Sequence, residues 1–279
     1  MTVLALAVGG LGVVDPAVPV LRADDEGVLR GRAVFETLRV YGGRPFRLVE
    51  HLNRLARSAS RIGLQPPSRG EFEGLAAATL EHAGEPDAVL RLLWTAGPEG
   101  GEPVALALVS TVPDHLESLR ARGIRVVALL GARADSPWLL GGVKSTSYAA
   151  NIAAEAEARR RGADDAVFAD AGGVLLEGPV TNIWWRVGGT LYTPALELGI
   201  LAGVTRAVVL EEAADADFAV AEGTYRLPAL AAADEAFTSS SVREILPVVS
   251  VDGNSVGDGR PGTAALALQA ALRRVATQL

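Results

Sequence analysis

The chain has no cysteine, a single methionine and, among its 26 basic residues, a single lysine, Lys144. The absence of cysteine excludes disulfides, thiolate metal sites and a cysteine nucleophile, and is compatible with a reducing cytoplasm. Three histidines, His51, His82 and His115, are too far apart in sequence to show ligand spacing, so a histidine metal cluster is not expected. No apolar run reaches the roughly 18 residues that a membrane-spanning helix needs. The apolar start, Met1 to Val14, lacks a basic leader and is broken by Gly9-Gly10, which reads as a hairpin and not as a signal peptide. The net charge is −7 with both signs scattered, which leaves no basic stripe for a phosphate backbone. The expectation is a cytoplasmic protein with neither nucleic-acid nor membrane partners.

What is present is enough apolar material for a substantial core. Over 279 residues, 49% are hydrophobic and 21% charged, which suits two compact lobes. Gly-Gly pairs at 9–10, 42–43, 172–173 and 188–189 lie between β-prone runs and suit tight turns. The first lobe reads as strand Ala33 to Tyr41, helix Glu50 to Ile62, helix Glu71 to Ala83, and strands Val89 to Thr95 and Val104 to Thr111. A break at Pro113 marks a connection over 112–116 between a small α+β lobe, 1–111, and a larger lobe, 117–279. There the pattern predicts a strand from Ile124 to Leu130 and an alanine-rich helix from Ser147 to Arg161 ended by Gly162. Strands Asp165 to Asp170, Val174 to Glu177, Asn182 to Val187 and Thr190 to Thr193 follow. Helix Thr205 to Ala214, strands Glu235 to Ser239 and Pro247 to Val251, and helix Gly262 to Thr277 complete the lobe.

The arginine bias, 25 of 26 basic residues, draws attention to the one lysine retained. Chance survival on the surface is the bland account. Lys144, however, follows the apolar run Trp138 to Val143 and precedes a helix, so its amine is expected to point inward, where desolvation favours the neutral, nucleophilic form. A lysine that attacks an aldehyde suits pyridoxal phosphate, which also needs an acid at the pyridine nitrogen and a phosphate cradle. Glu177, at the end of an apolar stretch before Gly178-Pro179, is a candidate acid, with a salt bridge to an arginine as the alternative. Gly203-Val204-Thr205-Arg206 offers a glycine turn into a helix N-terminus, which favours an anion, although such helix starts are common.

Five blocks, in order, carry a resemblance: VFETLRVYGGRPFRLVEHLNRLARSA, KSTSYAANIAAEAEARRRGADDAVF, LLEGPVTNIWW, GILAGVTR and FTSSSVREILPVVSVDG. Together, from about Ala23 to Gly253, they resemble the class IV aminotransferase family. These are fold type IV pyridoxal-phosphate enzymes, which include branched-chain and D-amino-acid aminotransferases and aminodeoxychorismate lyases. The resemblance implies a two-lobed α+β / α/β fold with a barrel-like sheet in the larger lobe, a homodimer, a small-molecule amino substrate and pyridoxal 5'-phosphate as cofactor. It implies that Lys144 is the Schiff-base lysine and that Tyr148, one helical turn on, contacts the ring hydroxyl. Glu177 would pair with the pyridine nitrogen, supported by Asn182. Arg54, Val204 through its backbone N–H, Thr205 and Ser241 would hold the phosphate. For Arg54 the alternative is a solvated arginine beside Arg57 and Arg61.

Substrate contacts are less defined. Phe35, Thr37 and Arg39 alternate on one strand face, with Arg39 a candidate for a substrate carboxylate, and Ser240 is a further candidate. Solvent or a neighbouring helix is an equally good occupant of that face. Gly31-Arg32-Ala33 and Thr95-Ala96-Gly97 depart from many members of the family near the expected mouth of the site. KSTSYAAN, LLEGP and VREILPV resemble the lyase-like members, so the expected reaction is release of pyruvate and 4-aminobenzoate from 4-amino-4-deoxychorismate. The alternatives are amino transfer with a branched-chain or D-amino acid, and a non-catalytic relative that keeps only the fold.

Overall fold

A computed structural model of the protein describes residues 2–131 and 141–278. The chain divides into two compact units. The first comprises Met1–Pro113 with Val143–Tyr148, and the second Asp114–Gly142 with Ala149–Gln278. As expected, the architecture is mixed α/β in two units.

In the first unit, strands β1 (Val3–Val8), β2 (Gly12–Val14), β3 (Ala33–Tyr41), β4 (Arg44–Pro45), β5 (Ala88–Thr95) and β6 (Val104–Thr111) form an antiparallel sheet in the order β2-β1-β6-β5-β3-β4. A short helix, α1 (Glu26–Arg30), starts on the Asp25 side chain, which accepts from Gly27 N–H, and ends at Gly31 with φ 65°. Helices α2 (Leu48–Arg61) and α3 (Arg69–Ala83) cover one sheet face. The buried positions of α2 are 51, 52, 54, 55, 58 and 59, a single stripe at helical spacing. Leu52, Leu55 and Ala59 pack from that stripe onto Val34, Leu38 and Val40 of β3. Leu55 is fully enclosed, and Leu55→Ala at such a site costs about 2–5 kcal/mol. The Gly42-Gly43 turn between β3 and β4 has φ 55° and 78°, both in the region glycine adopts without strain.

The second unit contains α4 (Leu116–Arg122), β7 (Ile124–Leu130), α5 (Ala149–Arg160), β8 (Asp165–Ala169), β9 (Asn182–Val187) and β10 (Thr190–Pro194). A 3-10 turn at Leu196–Leu198 leads to α6 (Val204–Glu212), β11 (Ala219–Gly223), α7 (Leu227–Ala231), β12 (Glu235–Ser240), β13 (Glu244–Val251), β14 (Asn254–Ser255) and α8 (Thr263–Thr277). The sheet order is β11-β10-β9-β12-β13-β7-β8, with β14 on β13, in a curved half-barrel. Parallel pairs β10/β11, β13/β7 and β7/β8 sit beside antiparallel ones. Ile124, Val126, Val167, Ile183, Trp185, Leu246 and Val248 supply much of its core.

Three sequence expectations change. Lys144 was expected in the larger lobe, but its segment groups with the small unit because it pairs with β3. Phe35 N–H donates to Lys144 C=O at 3.0 Å, Thr146 N–H to Ala33 C=O at 2.9 Å, and Val34 bridges Ser145. For the same reason the helix expected from Ser147 begins only at Ala149. Val174 to Glu177 forms two isolated bridges, Ala169 to Leu175 and Val174 to Arg226, and not a strand. Of the apolar run before Lys144, Trp138, Leu139 and Leu140 lie outside the described residues.

Candidate active site

Lys144 is fixed at its backbone and partnered at its amine. Its carbonyl accepts from Phe35, and its N–H donates to Ser58 Oγ at 3.3 Å. The half-buried side chain brings Nζ to 3.2 Å from Tyr148 Oη and 4.3 Å from the centre of the Phe35 ring. Phe35 and Tyr148 meet edge to face, with centroids 5.2 Å apart. Tyr148 was expected one helical turn after Lys144; the two side chains meet, but no helical turn joins them. The intervening residues are non-helical, held by the pairing with β3.

Arg54 is on the buried stripe of α2, and its guanidinium meets Glu36. Nε donates to Glu36 Oε1 at 2.7 Å and Nη2 to Oε2 at 2.6 Å, while His51 Nδ1 lies 2.7 Å from Oε2. Glu36 has the inward parity of β3, between Val34 and Leu38, and is 0% exposed. Burial pushes its carboxyl pKa up, but the charge and hydrogen bonds of Arg54, with those of His51, outweigh burial and hold it at about 2. Burial lowers the His51 pKa despite Glu36, and Arg54 and Lys144 lower it further. A neutral His51 donating Nδ1–H to a charged Glu36 satisfies both groups. Sequence reading missed Glu36 and His51. The available signal was a carboxylate at an inward strand position, which demands a buried partner.

In the second unit, a buried carboxylate and a helix start share one asparagine. Glu177 is 4% exposed, and its Oε2 accepts from Leu201 N–H at 2.9 Å and lies 3.5 Å from Asn182 Nδ2. Asn182 Nδ2 also donates to Leu201 C=O at 2.9 Å. Both of these donors are amide N–H groups, and they orient the carboxylate. Two residues on, Gly203 opens α6 with no side-chain cap. A Cβ at Gly203 would lie 2.1 Å from Asn182 Oδ1, so only glycine lets the backbone run this close to the asparagine. Val204 and Thr205, the first two residues of α6, are buried, and N–H groups at a helix start lack intrahelical partners.

Ser240 ends β12, and Ser241 begins the turn into β13. Both are half-buried. That turn is anchored at Glu244, which holds φ 57° and takes bonds from Arg120, Gln269 and Arg273.

Two arginines weighed near the expected substrate end are engaged in ion pairs. Arg39 is paired as Arg54 is: Nε and Nη2 each donate to Asp87 at 2.9 Å, and the guanidinium lies 5.4 Å from the Tyr41 ring. Arg32 is held by Glu26 at 2.6 Å and by Gly63 C=O at 3.0 Å, which offsets the charge that distinguishes this chain there. Thr37 remains half-buried on the same strand face as Phe35. Among the described residues no group of three or more His, Asp or Glu could hold a metal ion. No helix among them is long and apolar enough to cross a membrane.

The first unit offers the amine of the one lysine beside a phenol and, on α2, a buried arginine paired with Glu36; the second offers a buried carboxylate and a helix start with no side-chain cap. Aldehyde, basic ring nitrogen and phosphate are the complementary groups. Residues 33–251 match the family described as amino-transferase class IV. The chain belongs to the class IV amino-transferase family.

Two curated relatives of this class IV chain carry lyase names. It is 32% identical over 261 residues to the aminodeoxychorismate lyase of Bacillus subtilis, covering 90% of this chain and 87% of that one. It is 34% identical to the bifunctional aminodeoxychorismate lyase / D-amino acid transaminase of Mycobacterium tuberculosis, covering 72% and 75%. Two solved structures carry transfer names. The fold IV transaminase of Curtobacterium pusillum aligns with a TM-score of 0.87 at 34% identity over 95% of this chain and 99% of that one. A hypothetical aminotransferase of M. tuberculosis, solved with alpha-ketoglutarate and PMP bound, aligns at 0.88 with 31% identity over 96% and 98%.

Proposed function

We propose that this class IV protein is a pyridoxal-phosphate aminotransferase that moves an amino group between an amino acid and a keto acid. The observation that carries the reading is the Lys144 amine, unique in the chain and set 3.2 Å from Tyr148 Oη. When bound, pyridoxal phosphate supplies an aldehyde for an amine to bond and a protonated ring that withdraws electrons from the carbon next to that bond. Lys144 would be the amine that holds that aldehyde, and its Nζ the group that takes a proton and returns it. Tyr148 accepts from Nζ and so steadies the amine in the direction from which proton transfer occurs. Glu177, oriented by Leu201 and Asn182, is assigned to the ring nitrogen. Arg54, the Val204 N–H, Thr205 and Ser241 are assigned to the phosphate, with Glu36 and His51 holding Arg54 in position. A homodimer belongs to this reading and is checked by light scattering on the eluted protein.

Amino transfer takes precedence over the lyase reaction because the relatives divide between the two while a structural neighbour holds an aminated cofactor together with a keto acid, the pair that transfer requires. Lyase activity is the second reading, favoured by the names of the B. subtilis and M. tuberculosis relatives. One experiment separates them. Holoprotein with D-alanine or a branched-chain amino acid and 2-oxoglutarate is expected to form glutamate. Aminodeoxychorismate supplied without a keto acid, if it gave 4-aminobenzoate over many turnovers while no amino acid donated, would establish the lyase instead.

A further inference from the structure

Phe35 holds Lys144 twice. Its backbone N–H donates to the Lys144 carbonyl at 3.0 Å, and its ring face lies 4.3 Å from the Lys144 ammonium nitrogen. The ring is itself fixed: it is half-buried on β3, whose register with β5 pairs Phe35 with Leu93, and the Tyr148 ring packs edge to face against it. An ammonium this close to a ring centroid is attracted by the ring's negative face, more strongly where water is partly excluded. The other nearby ring, that of Tyr148, is farther from Nζ at 5.7 Å and contributes mainly through its hydroxyl.

We infer that Phe35 is a positioning residue for Lys144, its ring face seating the ammonium beside the Tyr148 hydroxyl whenever the amine is not bonded to the cofactor. The long side chain of a lysine has several rotamers of similar energy, so an unseated amine would spread over them each time it is displaced. A ring below and a hydroxyl beside it restrict Nζ to one place, from which it returns a proton or rebonds the cofactor. The role is distinct from lining a substrate pocket because it acts on the enzyme's own amine. It rests on the reading of Lys144 as the cofactor-bonding amine, but the seat itself exists without cofactor.

The single lysine makes the seat directly observable. Protein grown with lysine carrying carbon-13 at Cε gives one Cε–Hε signal per chain, and an aromatic ring facing those protons moves them upfield. In the full-length cofactor-free chain the expected result is a clear upfield displacement from free lysine. Phe35→Leu should abolish most of it, and Phe35→Tyr should restore it. Phe35→Tyr keeps the ring if Phe35→Leu fails to fold. Addition of pyridoxamine phosphate, which leaves the amine unbonded, should preserve the displaced signal. A wild-type signal at the free-lysine position, or one that Phe35→Leu leaves unmoved in folded protein, overturns the proposal. An unbonded amine with a displaced signal in protein that never takes up pyridoxal phosphate would instead overturn the cofactor reading and leave the seat intact.

Discussion

Asn182 Nδ2 reaches two groups at once, the Glu177 carboxylate at 3.5 Å and the Leu201 carbonyl at 2.9 Å, and so ties the acid of the second unit to the backbone that leads into α6. The acid and the helix start are set by one side chain. Gly203 completes the arrangement, since any side chain there would displace the asparagine.

Replacing that glycine is the simplest perturbation. Gly203 has φ −65°, which any residue tolerates, so Gly203→Ala acts by sterics alone. Its Cβ would meet Asn182 Oδ1 at 2.1 Å. Cofactor affinity measured by fluorescence titration is expected to fall at least ~10-fold, the equivalent of about 1.4 kcal/mol. Gly189→Ala, where a Cβ would meet nothing within 4 Å, should leave it unchanged.

The Glu177 carboxylate is assigned a charge, not just a hydrogen bond. Glu177→Gln keeps the shape and loses the charge, and breaking a buried ion pair costs about 3–5 kcal/mol. Turnover in the amino-transfer assay should drop roughly 100- to 1,000-fold, with the cofactor absorbance band moved. Near-normal turnover in Glu177→Gln would remove the ring-nitrogen assignment.

Tyr148→Phe deletes the hydroxyl beside Nζ and retains the ring that packs on Phe35. A hydrogen bond to a charged group is worth about 1.5–3 kcal/mol, so turnover should fall roughly 10- to 100-fold. The thermal midpoint should stay within a few degrees of wild type, because the half-buried ring remains.

The Glu36, His51 and Arg54 cluster makes stability depend on pH in a definite sense. Glu36 has its folded pKa depressed to about 2 against the burial that would raise it, so its contribution is complete above about pH 4.5 and is lost as pH falls toward 2. His51, whose folded pKa burial lowers from 6.5, adds a loss that begins as pH falls through that value, where the unfolded chain takes up the proton first. Urea denaturation at pH 7, 5 and 3 should show stability declining in both steps, with His51→Gln flattening the first. Glu36→Gln should be destabilised at pH 7 by about 3–5 kcal/mol because it leaves Arg54 buried without its counter-charge. Equal stability of Glu36→Gln and wild type at pH 7 would contradict this account of the cluster.

Local pattern made some of this readable and tertiary pairing hid the rest. The bounds of β3 and β6 follow from period-two alternation and match the structure to the residue. Helix α4, Leu116–Arg122, was not expected, because it is only seven residues long and follows directly on the connection placed at 112–116. The parallel strand β11, AVAEG, has no buried alternation of its own and exists through its pairing with β10. At the site, Lys144 and Glu177 stood out as an isolated lysine and a carboxylate in an apolar stretch. The non-helical path from 144 to 148 did not, since the alanine-rich stretch that follows from Ala149 favours helix and the competing bridge comes from Val34, far away in the chain. Asp87, which occupies Arg39, was equally invisible, because β3/β5 register cannot be read from either strand alone.

The central claim is that Lys144 bonds the cofactor. Because the chain has no other lysine, borohydride reduction of the holoprotein followed by peptide mapping gives an unambiguous answer. The expected result is cofactor fixed at Lys144, with Lys144→Ala carrying none. Cofactor fixed only at the amino terminus, or not fixed in protein that has taken it up, would contradict the account.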